Sequence, residues 1–280
     1  MINARYNHQR MWLWILIVLL VCILFLGLRP KGFRFENGVA WLKDEPGVRF
    51  NDHGMTFAQP FLMQTDIDAF LDHGFSIDIS LKTTDHKRGN FGFILSIHDG
   101  RDSDQFLVGQ WRSHIIVMNG DDYNHKRKLP RISVDTAFQE DESLFLTITT
   151  GKQGTRIYVD GHIAKKDSRL TLALPSGRNS RLTLGNSVYG NNAWKGEIHG
   201  LALYGRALTG DEVASHFQQW SVAKDFSFAQ AQRPLLLYKF EEGQGTHVQD
   251  LAGNGVPLEI PQKMEALQKR ILEAPSRHNL

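Results

Sequence analysis

The sequence predicts an all-β fold, a sandwich or barrel of many short strands. Three observations predict it. Beyond residue 30, apolar residues recur mostly at every second position. Turn signals rich in Gly, Asp and Asn interrupt these runs about every ten residues. Helical spacing is confined to two short stretches near the C-terminal end of the chain and one apolar run at its start.

In chain order, Val48–Phe57 reads as an early strand. In Phe75–Lys82 the apolar set is Phe75, Ile77, Ile79 and Leu81, and the polar set is Ser76, Asp78, Ser80 and Lys82. That alternation predicts a strand with one face buried and the other solvated. Phe91, Phe93, Leu95 and Ile97 repeat the pattern. Leu107–Met118 reads as a hairpin or one long bent strand. Leu144, Leu146 and Ile148 alternate up to a turn at 151–154, and Ile157 and Val159 alternate up to Asp160-Gly161, a strong two-residue hairpin signal. Arg181–Gly185, Glu197–Tyr204 and Leu235–Phe240 complete the series. Thr209-x-x-Glu212 has the form of a capping box opening a short helix over Asp211 to about Gln219, with Val213 and Phe217 on one face. Met264, Leu267 and Ile271 predict a helical tail within 262–280. No Pro/Gly/Ser-rich linker divides residues 35–261, so they read as one domain of about 225 residues.

The first 34 residues are different. Met11–Leu28 contains no charged or strongly polar side chain, and Arg10 and Arg29 bracket it. Its eighteen residues at about 1.5 Å each give roughly 27 Å of helix, near the ~30 Å hydrocarbon core. Trp12 and Trp14 fall where an interfacial aromatic belt would lie. The run ends in a poor signal-peptidase site, so the expectation is an uncleaved single span, with residues 1–10 a short basic tail and 29–34 a juxtamembrane linker. The flanking charge leans slightly towards placing the C-terminal part inside. A short leader before one span usually exports the downstream domain, however, so the domain is expected outside the cytoplasm.

Composition excludes several function classes. The hydrophobic set is 41% and charged residues are 22%, a globular balance rather than a disordered or multi-span one. The net charge is +2, and Arg5 and Arg10 account for it, since they are the only charged side chains before residue 29. The rest is neutral, and no nucleic-acid partner is expected. A single Cys rules out an internal disulfide.

One stretch is more specific than fold class. Arg181-Leu-Thr-Leu-Gly185, followed by Trp194-Lys-Gly-Glu-Ile-His-Gly-Leu-Ala-Leu-Tyr-Gly-Arg-Ala-Leu-Thr-Gly-Asp-Glu-Val213, resembles the closing segment of laminin-G-like domains in the concanavalin A-like lectin/glucanase superfamily. Asp160-Gly161 matches that family's strand-Asp-Gly hairpin, and the resemblance covers roughly residues 70–220. Leu237–Gly255 resembles the family's usual opening, yet here it comes after the closing motif. Either a second copy is truncated or the first strands come from the C-terminal part. Too few residues remain for a second domain. The simpler reading is a circularly rearranged jelly roll in which Leu235–Phe240 completes the sheet beside Val48–Phe57.

The resemblance implies a jelly-roll β-sandwich that presents loops or a concave face to glycans or proteins, often with one Ca²⁺. On the family's motif the calcium residues would be Asp250 and Asn254, with Ala252 where Ser is usual. An Asx turn is the plainer account of the same residues. The glucanase branch uses a Glu-x-Asp-x-x-Glu strand, which is missing from this sequence, and no other enzyme signature is present. The twelve histidines are scattered without metal-ligand spacing and read as surface or hairpin residues.

A glycan site needs aromatic platforms beside amide and carboxylate groups. Three loops have that composition. The first holds Asp102 and Asp104, the second Asp121, Asp122 and Tyr123, and the third Asn191, Asn192 and Trp194. Trp111 could line a concave face. Core packing is the plainer reading for Trp111 and Trp194, and solvated turn chemistry for the Asp and Asn loops. The expectation is thus a membrane-anchored, non-catalytic module binding an envelope or extracellular polysaccharide. Two alternatives are a scaffold docking onto a membrane-complex protein and a glycan-active hydrolase.

Overall fold

The computed structural model describes residues 12, 14–24, 35–59, 73–85, 89–99, 105–120, 129–139, 142–175, 180–253 and 256–264. The chain divides into a first unit, Met1–Phe35, and a second, Glu36–Leu280. In the first, residues 14–24 are helical and their side chains are exposed. Among the described residues no helix is long and apolar enough to cross a membrane.

The second unit is a sandwich of two antiparallel sheets. Its described strands are β1 (Val39–Trp41), β2 (Val48–Phe50), β3 (Thr56–Ala58), β4 (Phe75–Thr83), β5 (Gly92–His98), β6 (Phe106–Trp111), β7 (His114–Asn119) and β8 (Arg131–Val134). They continue with β9 (Ser143–Gly151), β10 (Gly154–Val159), β11 (His162–Asp167), β12 (Arg181–Leu184), β13 (Gly196–Tyr204), β14 (Leu236–Tyr238), β15 (His247–Val248) and β16 (Leu258–Glu259). The first sheet runs β1-β2-β13-β4-β9-β10-β11, with β14 also on β13. The second runs β15-β16-β3-β12-β5-β6-β7-β8.

Between the sheets, Phe75, Ile77, Ile79 and Leu81 of β4 pack with Leu146 and Ile148 of β9 and Ile198 of β13. Ile115 and Val117 of β7 and Leu182 and Leu184 of β12 meet them from the other sheet. Burying one such aliphatic side chain contributes about 1.5–3 kcal/mol. This two-residue period is the one the sequence predicts.

The long strand β13 organises the fold. One of its edges pairs with β4 along its whole length. The other edge is shared: β2 pairs with Gly196–Ile198 and β14 with Leu201–Leu203. β2 and β14 run in the same direction and lie end to end, and the Gly47 N–H donates to the Phe240 carbonyl at 3.0 Å. The segment from the C-terminal part and the segment from the N-terminal part thus make one row of strand from two pieces of chain.

Besides β4, whose polar face is buried where the alternation predicted a solvated one, three elements differ from expectation. Val48–Phe57 is not one strand. It turns at Asp52 and His53, where His53 takes φ 64°, and passes from the first sheet (β2) to the second (β3). In β5 the alternation breaks, because the pairing with β6 shifts between Phe93 and Leu95. Leu95 and Ile97 stay in the central core, while Phe93 joins Leu107 and Met118 in a separate cluster against which Phe91 packs. A one-residue slip moves every later side chain to the other face. The helix is longer than expected, Gly210–Ala223, and a second short helix, Ser227–Ala231, comes after it. Both hydrogen bonds of the Thr209/Glu212 capping box are present.

The Asp160-Gly161 hairpin forms as predicted, with φ 49° and 76° at its two central residues. Leu107–Met118 is a hairpin turning at Arg112 and Ser113. At the tail, residues 262–264 are not helical, which corrects the start of the expected 262–280 helix; Lys263 forms an isolated bridge with Glu36, and residues 265–280 lie outside the described residues.

Candidate functional site

The two outer faces of the sandwich differ. On the first sheet, Ser76, Asp78 and Ser80 of β4 are all fully buried. The helix Gly210–Ala223 and the segment after it cover them. Val213, Trp220, Phe226 and Ala229 pack on Phe145, Tyr158, Ala202 and Tyr204. Inside this layer His216 Nδ1 lies 2.7 Å from Asp78 Oδ2, and the Thr147 hydroxyl donates to Asp78 Oδ1 at 2.6 Å. Burial, and then the neighbouring Asp78 charge, hold the Tyr204 phenol far above its ordinary pKa, so it stays neutral.

On the second sheet a cleft of about 620 Å³ opens between the β6–β7 hairpin and the loop after Asn186. Trp111, Ile116, Met118, Arg131, Phe91, Asn191 and Asn192 line it. Gly109 helps shape its floor: a Cβ there would run into the Phe91 ring, so glycine lets that ring lie against the backbone of β6. Trp111 is 40% exposed. Its indole N–H donates to the Gly89 carbonyl at 3.1 Å, and its ring stacks on His114 at 5.5 Å. The indole is therefore fixed in orientation while part of it faces solvent.

The loop at 186–193 is held from beneath. Asn186, fully buried, accepts the backbone N–H groups of Ser187 (2.9 Å) and Asn192 (3.0 Å) on Oδ1. The Asn192 carbonyl accepts the Phe93 N–H at 2.9 Å, and its side-chain amide donates to the Phe91 carbonyl at 3.4 Å. Asn191 Oδ1 accepts the Ser187 hydroxyl at 2.6 Å. Asn191 and Asn192 thus reach the cleft from a loop tied to β5.

The fold brings together three of the residues expected from sequence, Trp111, Asn191 and Asn192. Trp194 lies behind them, only 2% exposed. Its indole N–H donates to Gln110 Oε1 at 2.6 Å, and its ring packs near Phe50. A ring so enclosed presents no face to a ligand, which corrects the expectation of a platform at Trp194. Asp102, Asp104, Asp121, Asp122 and Tyr123 lie outside the described residues. Phe91, Ile116 and Met118 are additional lining residues that the sequence did not single out, and Arg131, which the sequence groups with the basic run Lys126-Arg-Lys128 as a site for phosphate or anionic polysaccharide, lines the cleft too. The pairing shift in β5 that accompanies the outward-facing Phe91 leaves no mark in the alternation.

Asp250 Oδ1 accepts the N–H groups of Leu237 (2.9 Å) and Ala252 (3.0 Å), which ties the turn to β14. Asn254 lies outside the described residues. Calcium takes six to eight oxygens, and one oxygen of this carboxylate is already engaged by two amides.

Half of the chain, residues 64–214, matches a laminin-G family model described as concanavalin A-like lectin/glucanases superfamily. The two sheets, the Asp-Gly hairpin and the capped helix after β13 are the structural counterpart of that match, and the chain belongs to this family. No curated protein is matched by the sequence. Among solved structures, the receptor binding domain of botulinum neurotoxin C/D mosaic serotype is similar at TM-score 0.52 and 13% identity, covering 69% of this chain and 47% of that one. The receptor binding domain of botulinum neurotoxin D gives TM-score 0.50 at 12% identity, over 69% and 48%. The chain therefore spans about half the length of those domains. A Ruminococcus gnavus IT-sialidase CBM40, bound to α2,3-sialyllactose, gives TM-score 0.43 at 15% identity, over 50% of this chain and 80% of that one. At these identities the neurotoxin likeness shows the fold alone.

Proposed function

We propose that the domain is a non-catalytic recognition module that takes an envelope or extracellular polysaccharide into the cleft on the second sheet. We further propose that Met11–Leu28 anchors it in a membrane with the domain outside the cytoplasm. One observation carries the reading. A half-exposed indole, Trp111, stands beside the polar groups of Asn191, Asn192 and Arg131 over an apolar floor of Phe91 and Ile116. Sugars offer C–H faces to aromatic rings and hydroxyls to amides, so this pairing suits them. Membership of a lectin-like family supports it. The described lining holds no Asp or Glu, whereas glycoside hydrolysis needs two carboxylates in register.

The docking alternative has its own observation. β11 closes one edge of the first sheet with five of its six residues exposed, Ile163 among them, and an edge strand can pair with another chain. A glycan array probed with the full chain in detergent separates the two readings. Probing runs with EDTA, without it, and after adding back Ca²⁺ alone, which also reads out calcium at the Asp250 turn. Retention of a glycan class that Trp111→Ala abolishes is the expected result. Retention of none, together with co-purification of one stoichiometric protein, overturns the polysaccharide reading in favour of docking.

A further inference from the structure

The first sheet carries a second polar cluster, at the end of β13 away from the covering helix. Glu197 and His199 are two residues apart, and their carboxylate and imidazole approach to 3.7 Å. Their side chains are 5% and 9% exposed. His199 Nδ1 is 3.0 Å from the Pro46 carbonyl. A carbonyl only accepts, so Nδ1 holds a proton, and in the neutral ring Nε2 carries a lone pair. Among the described residues that Nε2 is buried without a hydrogen-bond partner, and it faces Glu197 Oε2 at 3.7 Å, another atom with lone pairs only. A second proton on the ring would not join them, because 3.7 Å is too long for an N–H···O bond. A cation between them would.

The surroundings are built for one. Glu45 Oε2 lies 3.9 Å from Nδ1 of that ring, and one ligand atom from each of Glu45, Glu197 and His199 falls within 4.8 Å of the others. The Glu45 side chain is 61% exposed, and to join an ion at Nε2 it would swing round from the Nδ1 side of the ring. Arg49 donates to Glu197 Oε1 from Nε (2.8 Å) and from its terminal nitrogen (2.6 Å), which leaves Oε2 to point at His199. Metal-bound carboxylates and imidazoles are commonly held this way by outer partners. Gly47 takes φ 147°, and a Cβ there would meet Leu42 and the His199 ring, so glycine lets the Glu45–Gly47 loop close on the imidazole.

We propose that Glu45, Glu197 and His199 form a site for a divalent cation of the zinc class, with water completing the coordination. One imidazole with two carboxylates suits Zn²⁺, whereas Ca²⁺ and Mg²⁺ prefer all-oxygen sets. Ligand atoms about 2.0–2.2 Å from zinc stand little more than 3 Å apart, close to the separation across the His199–Glu197 gap. The site adjoins Gly47, where the two pieces of the shared strand row join, so the metal would clamp that junction. It is independent of the polysaccharide reading, whose cleft is on the other sheet.

The test uses the full chain in detergent, stripped with a chelator and desalted, then titrated with Zn²⁺ alone by calorimetry. One Zn²⁺ per chain is expected, with zinc raising the thermal unfolding midpoint. His199→Gln and Glu45→Gln should each weaken binding at least about 10-fold and remove the rise. Glu45 is exposed, so Glu45→Gln keeps the fold and remains decisive if His199→Gln does not. Co²⁺ in place of zinc should give visible ligand-field bands that His199→Gln alters. No saturable zinc binding, or binding unchanged in Glu45→Gln, overturns the site.

Discussion

The two outer faces of the sandwich make an instructive pair. Both belong to antiparallel sheets whose inner faces share one apolar core. The first is closed by the helix Gly210–Ala223 and the segment after it, which bury even the polar row of β4. The second is open at the cleft beside Trp111 and Arg131. A closed face must satisfy its polar groups internally, and this one does so incompletely: among the described residues His216 Nε2 and Trp220 Nε1 have no hydrogen-bond partner. The second sheet is open only locally, at the cleft: Ser96 of β5 and Thr183 of β12, whose neighbours face the core, are fully buried as well.

The comparison can be broken most severely at Asp78. Asp78→Ala leaves His216 and the Thr147 hydroxyl without their buried partner, and should lower stability by about 3–5 kcal/mol, read by urea unfolding followed through tryptophan fluorescence. A loss below about 1 kcal/mol would mean that the closed face does not depend on this pair.

The open face should respond in the opposite way. Trp111→Ala is expected to cut affinity for a retained glycan about 30-fold, equivalent to about 2 kcal/mol. It should shift the unfolding free energy by less than about 1 kcal/mol. A large stability loss with unchanged glycan retention would make Trp111 part of the scaffold instead.

The smallest effect is expected at the edge of the closed face. Burial pulls the Glu212 carboxyl upward, but hydrogen bonds from the Thr209 backbone and hydroxyl, with Arg206 beside it, outweigh this and hold it below its ordinary 4.5. The folded state therefore favours the charged form. Its contribution is present above pH 4.5 and is lost as pH falls through the lowered folded value. Glu212→Gln should cost about 0.5–1 kcal/mol at neutral pH, and the gap from the parent chain should close on acidification. A gap that stays constant from pH 6 to pH 3, roughly spanning the carboxylate range, would rule out the carboxylate as its source.

Parts of the fold were readable from particular residues. Phe75, Ile77, Ile79 and Leu81 marked a core strand because period two maps directly onto one face of a sheet. Asp160-Gly161 marked its turn because few residue pairs tolerate two left-handed conformations. Thr209 and Glu212 marked the start of the helix because capping is local chemistry. At the cleft, Trp111, Asn191 and Asn192 were chosen for their chemistry and meet there, while Trp194 was chosen for the same reason and is enclosed. Composition names the groups that can bind and is silent on which side of a sheet they face. Among the scattered histidines, Glu197-x-His199 did carry a signal, since residues two apart on a strand share a face. Glu45 comes from a loop more than 150 residues earlier in the chain, so spacing alone could not complete that set.

The strand alternation, the hairpin turns, the helix cap and the family were all readable along the chain, because each rests on contacts between near neighbours or on a contiguous motif. Only the packed fold shows which polar rows are buried, where β5 changes face, and that Leu236–Tyr238, which the displaced motif already joined to the sheet of Val48–Phe50, lies end to end with it on β13 rather than beside it. Those outcomes depend on which distant segments pack together, and packing between layers leaves no period in the chain.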